Sequence, residues 1–348
     1  MSKEFSYMNA KRVVLSDVAK LAGVSKATVS RYLNHSLSLP EGTARRIEKA
    51  IKETHYQRNT LARRLSKGGS ETIGLVIPDI TNPFFAQLAD AVEAATARHG
   101  YSLVLCISRN DAAKECQFIQ WLDSRQVDGL LFITNKADIN SQLKALVHQR
   151  RDIVLIDENI QDTELSKVFS DNFQGGYLAT KNLIAAGHRH IAYIGGPKYL
   201  KSVKERFEGY RHALTEAQLP YHEFWTFYGD YERSFGMQAT LEFMAQPQRP
   251  TAVFAASDYI AFGVLDGLKY LKLNAPESLS LAGYDDASFA DLLTPRISTV
   301  RQPFELMGKT AVDILFAQMN APEQNFQQII LPVEWIERDS ITPLDDSK

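Results

Sequence analysis

Residues 15–34, LSDVAKLAGVSKATVSRYLN, decide how the rest of the chain is read. They predict two short helices joined by a turn centred on Gly23, the second shaped to lie in a DNA major groove. Val18, Ala19 and Leu21 or Ala22 supply the apolar stripe of the first helix. Asp17 stands in its first turn, where the helix dipole stabilises a carboxylate. Ser16 is the expected N-cap of the first helix and Ser25 of the second. Gly23 suits the positive φ of a sharp turn. Val29 and Leu33 then pack back on the first helix, where Ala19 is small enough for a close crossing.

The outward positions of the second helix are Lys26, Ala27, Ser30 and Arg31. Lys and Arg donate to guanine O6 and N7, alanine touches a thymine methyl, and hydroxyls suit phosphates. A third helix is expected from Pro40 and Glu41 through Ala44, Ile47, Ala50 and Ile51, which recur at helical spacing. The plainer alternative is a small amphipathic bundle with no nucleic acid. Charge argues against it: residues 1–70 carry 14 Lys/Arg and five Asp/Glu, a net of +9, whereas the remainder carries a net of −11. A basic head on an acidic body is the footprint of a phosphate-backbone binder.

The 348 residues, 45% of them apolar, suffice for two or three domains with cores. There is no run of 18 apolar residues, and MSKEFSYMNAKRVV lacks a signal peptide's apolar segment, so a cytoplasmic protein without membrane contact is expected. Cys106 and Cys116 form neither a metal-ligand spacing nor a disulfide framework.

Between Tyr56 and Gly69 the sequence becomes QRNTLARRLSKGG. A helix from Asn59 would place Leu61, Ala62 and Leu65 on one side and Arg58, Arg63, Arg64 and Lys67 on the other. About two turns of helix are marginal alone. Bound DNA could order it, the arginines meeting phosphates and Leu65 wedging into the minor groove. A plain basic linker is the alternative.

From Thr72 onward, short apolar strands such as IGLVIPD, YSLVLCIS, VDGLLFIT and DIVLIDE alternate with helices, and a second set follows from KVFSDN to LSLAGYDD. Continuous apolar strands separated by helices predict parallel sheets covered on both faces, in two lobes. Ligands in such folds bind at the carboxyl ends of strands. Those ends carry Asp79, Thr81, Asn82, Phe84 and Phe85; Asp157 and Glu158; Asp171 and Asn172; Ser257 and Asp258; Asp285 and Asp286; with Arg206 and Gln302 nearby. Such groups bracket a polyhydroxylated ring, aromatic faces against its C–H surfaces and polar groups on its hydroxyls. Asp79 and Asp157 could equally cap helices, and Arg206 could pair structurally. No catalytic motif appears: there is no Gly-Lys-Ser/Thr loop, no G-x-G-x-x-G after a strand and no G-x-S-x-G elbow. His188 and His190 read as helix termination rather than metal ligands, and neither metal nor cofactor is expected.

Taken together, DVAKLAGVSKATVSRYLN, NTLARRLS, IGLVIPDITNPFF, DNFQGGYLAT with GHRHIAYIGG, ERFEGYRHAL, ASDYIAFGVL, LAGYDD and ISTVRQPFELMG resemble the LacI/GalR family of bacterial transcription regulators over nearly the whole chain. The resemblance implies a helix-turn-helix domain (13–57), a hinge helix and linker (58–70), and an effector-binding and dimerisation domain (71–340). The last would resemble periplasmic sugar-binding proteins, with lobe 1 at about 71–172 and 301–330, lobe 2 at about 173–300 and 331–340, and three crossovers near Asn172, Val300 to Arg301 and Leu331. The DNA-binding set it implies is Ser16, Ser25, Lys26, Ala27, Thr28, Ser30, Arg31, Asn34, Asn59, Arg63 and Leu65. The effector-binding set is Asp79, Asn82, Phe84, Phe85, Glu158, Arg206, Tyr231, Asp258, Asp285 and Gln302.

Glu158 departs from the family pattern, where Asp-Arg is common, and Asp258 stands where Asn is frequent. Two carboxylates repel an anionic ligand and accept hydrogen bonds from hydroxyls, so a neutral sugar, polyol or glycoside is expected. The resemblance thus implies a repressor of a carbohydrate-utilisation operon. It would bind a palindromic DNA operator as a homodimer, since the tail after Trp335 has no leucine heptad. Effector closing the cleft would shift whether two hinge helices pair over DNA. The alternatives are a regulator answering a sugar acid, phosphorylated sugar or nucleoside/purine, a sugar-binding protein without DNA function, and an α/β enzyme acting on sugars.

Overall fold

The computed structural model describes residues 13–33, 37–56, 69–135, 141–321 and 325–344. The chain divides into two compact units, residues 1–68 and 69–348.

In the first unit, α1 (Leu15–Ala22), α2 (Lys26–Leu33) and α3 (Glu41–Thr54) enclose a small core of Val18, Ala19, Ala22, Val29, Ile47 and Ala50. Gly23 ends α1 with φ 65°, the left-handed geometry expected of the turn. Ala22 takes the buried position, while Leu21 is exposed. One cap differs from expectation. Val14 stands at the N-cap of α1 and its N–H donates to Asp17 Oδ2 at 3.0 Å, so Ser16 lies inside the helix, exposed. Asp17, three residues into the helix, reaches back to the donor that a capping serine would have left unmet. The expected hinge helix, with Asn59, Arg63 and Leu65, and also Asn34, lie outside the described residues.

The second unit holds two six-stranded sheets. The first sheet contains β1 (Thr72–Ile77), β2 (Ser102–Ile107), β3 (Gly129–Phe132), β4 (Ile153–Ile156), β5 (Ser166–Ser170) and β11 (Gln328–Leu331), in the order β11-β5-β4-β3-β1-β2, all parallel. The second sheet contains β6 (Ile191–Gly195), β7 (Thr226–Tyr228), β8 (Ala252–Ala255), β9 (Ser280–Asp285), β10 (Ser298–Arg301) and β12 (Glu334–Ile336), in the order β12-β10-β9-β8-β6-β7. Here the expectation of parallel sheets needs one correction, because β12 pairs antiparallel with β10. That strand arrives directly from β11 of the other sheet, without the helical crossover that a parallel return within one sheet requires.

Helices cover both faces, as buried strands demand. On the first sheet, α4 (Pro83–Arg98) and α11 (Phe304–Asn320) pack on one face, α5 (Ala112–Asp123) and α6 (Ser141–Val147) on the other. On the second, α9 (Arg233–Met244) and α10 (Asp258–Tyr270) oppose α7 (Asn172–Ala185) and α8 (Lys201–Glu216). The chain passes between the sheets three times, at residues 170–172, 301–304 and 331–334. Gly176 lets α7 and α8 touch backbone to backbone: a Cβ there would lie 2.1 Å from the carbonyl oxygen of Arg206.

Polar residues at the strand ends cap the helices that follow. Asn82 Oδ1 accepts from Phe84 N–H at 3.1 Å, Asp111 Oδ1 from Ala113 N–H at 2.9 Å, Asp171 Oδ1 from Gln174 N–H at 2.9 Å and Ser257 Oγ from Tyr259 N–H at 3.1 Å. Helix starts are thereby held beside the cleft that the two sheets share.

Candidate functional site

In the first unit, α2 presents Lys26, Ala27 and Arg31 to solvent, while Thr28 and Ser30 are half-buried. Ser25 caps the helix as expected: its Oγ accepts from Thr28 N–H at 3.0 Å and pairs with the Thr28 hydroxyl at 2.8 Å. Tyr32 OH donates to Glu48 Oε1 at 2.8 Å and ties α2 to α3. The result is a short helix held by its neighbours, with a basic side chain at each end of its exposed face.

In the second unit, a narrow pocket, whose gaps together with the open solvent at its mouth sum to about 330 Å³, lies between the carboxyl ends of the two sheets. Asn82, Phe84 and Phe85 at the start of α4, Asn135 after β3, and Asp157 and Glu158 after β4 line one side. Arg206 on α8, Tyr231, Ser257 and Asp285 line the other. Phe84 and Phe85 meet edge to face, their centroids 5.0 Å apart. Asp157 (φ 67°) and Asp285 (φ 114°) have left-handed backbones, a strain that aims both carboxyl groups off their strands.

Arg206 is 3% exposed and firmly held. Its Nε donates to Asn172 Oδ1 at 2.8 Å and its Nη1 to the Ala256 carbonyl at 2.7 Å. The guanidinium lies 3.7 Å from the Tyr284 ring centroid, and Tyr284 OH donates to the same Asn172 oxygen at 3.3 Å. Asp285 Oδ1 is 4.0 Å from Nη1 and accepts from Gln302 Nε2 at 2.8 Å. Burial pushes the Asp285 pKa up to about 7 against the pull of Arg206.

Glu158 does something its sequence position did not suggest. Its Oε2 accepts from Lys201 N–H at 3.0 Å, and its Oε1 from Ser202 N–H at 3.3 Å and from the Ser202 hydroxyl. It therefore caps α8 from the opposite lobe rather than presenting its oxygens to a ligand. Burial, reinforced by Asp157, pushes its pKa up to about 8, while the Ser202 hydroxyl and Lys201 N–H pull it back. A second lobe-to-lobe clasp runs from Gln87 on α4, which donates to the Asp286 carbonyl at 3.3 Å and accepts from Ser288 N–H at 3.1 Å.

Other expected site residues lie outside the pocket. Asp79 closes a local turn, accepting from Thr81 N–H at 2.9 Å and from its hydroxyl at 2.7 Å. Asp258 is fully buried behind the lining, accepting from Ala287 N–H at 2.7 Å and Thr299 Oγ1 at 2.8 Å. A side chain at Gly283 would strike it, since a Cβ there would be 2.0 Å from Asp258 Oδ1. Gln302 orients Asp285 without lining the pocket itself. Asn135 was not anticipated, and Asp157 and Ser257 stood only among the strand-end residues. Asn135 ends VDGLLFITN, where a strand-end amide was the available signal.

Residues 14–59 match the family described as bacterial regulatory proteins, lacI family, and residues 180–341 match a periplasmic binding protein-like domain. The HTH-type transcriptional repressor PurR of Vibrio cholerae serotype O1 (strain M66-2) is 33% identical over 335 residues, covering 96% of this chain and 99% of its own length. Among solved structures, the lac repressor dimer bound to operator and the anti-inducer ONPF superposes with a TM-score of 0.83 at 26% identity, over 95% of this chain and all of that one. A complex of the transcriptional regulator CelR with cellobiose gives 0.70 at 30% identity, over 94% of this chain and all of that one. A helix-turn-helix with an exposed basic face, a two-lobed core with a polar cleft, and near full-length likeness to repressors agree: this chain belongs to the lacI family of bacterial regulatory proteins.

Proposed function

We propose that this repressor grips a palindromic operator as a homodimer, and that a neutral, hydroxyl-rich effector, a sugar, polyol or glycoside, sets that grip from the cleft between the sheets. The observation that carries the effector class is the lining. Asn82, Asn135, Asp157 and Asp285 offer acceptors for hydroxyls, and Phe84 and Phe85 offer faces for C–H surfaces. Arg206, the only cation among the described lining residues, already donates to Asn172 and Ala256. The genes under control are then those for using such a carbohydrate, and the protein works in the cytoplasm, where its operator is. No described helix is long and apolar enough to cross a membrane.

On the DNA side, Lys26, Ala27 and Arg31 read bases, Thr28 and Ser30 lie near phosphates, and Ser16 and Ser25 belong to the same contact set. Asn34, Asn59, Arg63 and Leu65 complete the contact set over residues 13–70, and residues 71–340 bind effector and dimerise. The lac repressor relative is a dimer on its operator. Surfaces suited to a second copy are the open groove lined by Ala91, Ala94, Phe289 and Leu306, and edge strand β2 with Val104 and Leu105 exposed.

A thermal-shift screen of sugars, polyols, glycosides, sugar acids, nucleobases and nucleosides tests the effector class. A ligand at 100 times its Kd stabilises the core by about 2.7 kcal/mol. Neutral hydroxylated compounds should lead. A second reading, a purine effector, is favoured by the full-length likeness to repressors named PurR, and it predicts that nucleobases lead instead.

A further inference from the structure

The N-terminus of α8 lies against Glu158, which lines the pocket, and no side chain of its own caps it, because Leu200 stands at the N-cap. Helix N-termini gather unpaired N–H groups and positive potential, which makes them anion sites. Here the donors are already met. Glu158, 2% exposed and reaching from the other lobe, takes the N–H groups of Lys201 and Ser202 and the Ser202 hydroxyl.

A second observation points the same way. Asp157 lines the pocket, is 8% exposed, and its Oδ1 has no hydrogen-bond partner. An unmet buried acceptor calls for a donor from the ligand. An anionic group would bring a further acceptor there instead of a donor.

We propose that Glu158 occupies from within the place where an effector's anionic group would otherwise bind, and so sets the cleft against phosphorylated and carboxylate ligands. An anion seeking the α8 donors must evict the Glu158 carboxyl group and then lie beside Asp157. Beside Asp157 it would shed its water against a carboxyl group whose unmet Oδ1 needs a donor that an anionic group does not bring. Glu158 is thus a specificity residue that acts by filling a site. The inference rests on the cleft being the effector site, but its test needs no natural effector.

The experiment is thermal unfolding of the full-length protein, with inorganic phosphate titrated against sodium chloride of equal ionic strength. Wild type is compared with Glu158→Ala, which vacates the α8 donors, and Glu158→Gln, which keeps the place filled. Phosphate on the basic DNA-binding unit is common to all three, so only differences among them report on the cleft. Glu158→Ala should gain a saturable phosphate-dependent rise in Tm, with apparent affinity about tenfold or more tighter than wild type. Glu158→Gln should stay close to wild type.

Equal phosphate responses in folded wild type and Glu158→Ala would overturn the proposal. A gain in Glu158→Gln as large as in Glu158→Ala would overturn occupancy as the cause. Glu158→Ser serves the same comparison if the alanine variant does not fold. A phosphate gain in the alanine variant stands whether or not a sugar leads the effector screen, so the two readings fail separately.

Discussion

The three-helix unit and the cleft carry their chemistry on opposite sides of the burial boundary. In the first, Lys26, Ala27 and Arg31 stand in solvent, and the buried side chains, Val18, Val29 and Ile47 among them, do nothing but pack. In the second, Asp157, Glu158, Arg206 and Asp285 are all buried, each one both lining the pocket and partnering or facing distant parts of the chain. A surface reader needs only a rigid helix, so recognition and stability separate. A buried site must satisfy most of its polar atoms internally, so ligand preference and stability are joined.

The sharpest way to break that comparison is to attack the packing of the first unit. Val29→Asp buries an unpaired carboxylate in a small core, which costs several kcal/mol. Operator binding in a gel-shift assay should vanish while the melting temperature of the larger unit is unchanged; retained binding would mean that helix packing is not what presents α2.

Arg206→Ala tests the opposite side. It leaves Asn172 and the Ala256 carbonyl without their donor and Asp285 without its nearby cation. The expected destabilisation is about 3–5 kcal/mol by urea unfolding of the larger unit. The effector response should be lost and operator binding kept. A full response at unchanged stability would separate the two roles that burial is argued to join.

Acidity probes the same coupling more gently. With pKa values raised to about 8 for Glu158 and about 7 for Asp285, the folded unit holds protons that the unfolded chain releases at its ordinary carboxyl pKa near 4.5 and 3.8. The stabilisation is complete in acid below those ordinary values and is lost as pH rises through about 7 to 8, at up to about 1.4 kcal/mol per pH unit for each group. Tm should therefore be lower at pH 8.5 than at pH 6, and Asp285→Asn should narrow the difference. A Tm that rises over this window contradicts the buried-carboxyl account.

The smallest effect belongs to the exposed side. Lys26→Ala should weaken operator binding about tenfold and leave Tm unchanged. Any comparable loss of stability would show that the reading face is not free of structural duty.

How much was legible in the sequence followed from the range of the interactions. Ser25 and Gly23 were readable because a cap or a turn involves only the next few residues, and the alternating apolar strands announced two lobes. Ser16 is not the cap because α1 starts at Leu15, with Asp17 at its third position accepting from Val14 N–H, and composition does not rank the two starts. Asp258 lies behind the pocket lining, and this could not be read from its neighbours, because its partners, Ala287 and Thr299, are 29 and 41 residues away. Glu158 lines the pocket as its charge and place suggest, but its capping of α8 is not legible, since the donors that hold it belong to the other lobe, 43 and 44 residues further on. Antiparallel β12 was missed because a short edge strand looks alike in either direction.

By itself the sequence determined a helix-turn-helix with a basic exposed face, a doubly wound two-lobed core and the strand ends on which a cleft would form. Helical and strand periodicity, turns and caps are local, and local patterns survive in one dimension. Only the tertiary structure decided which of the polar strand-end residues face the cleft and which hold it together. That division is set by hydrogen bonds between residues far apart in the chain: the groups that such bonds hold, Glu158 and Asp258, support the cleft, and the one left unmet, Asp157 Oδ1, faces it.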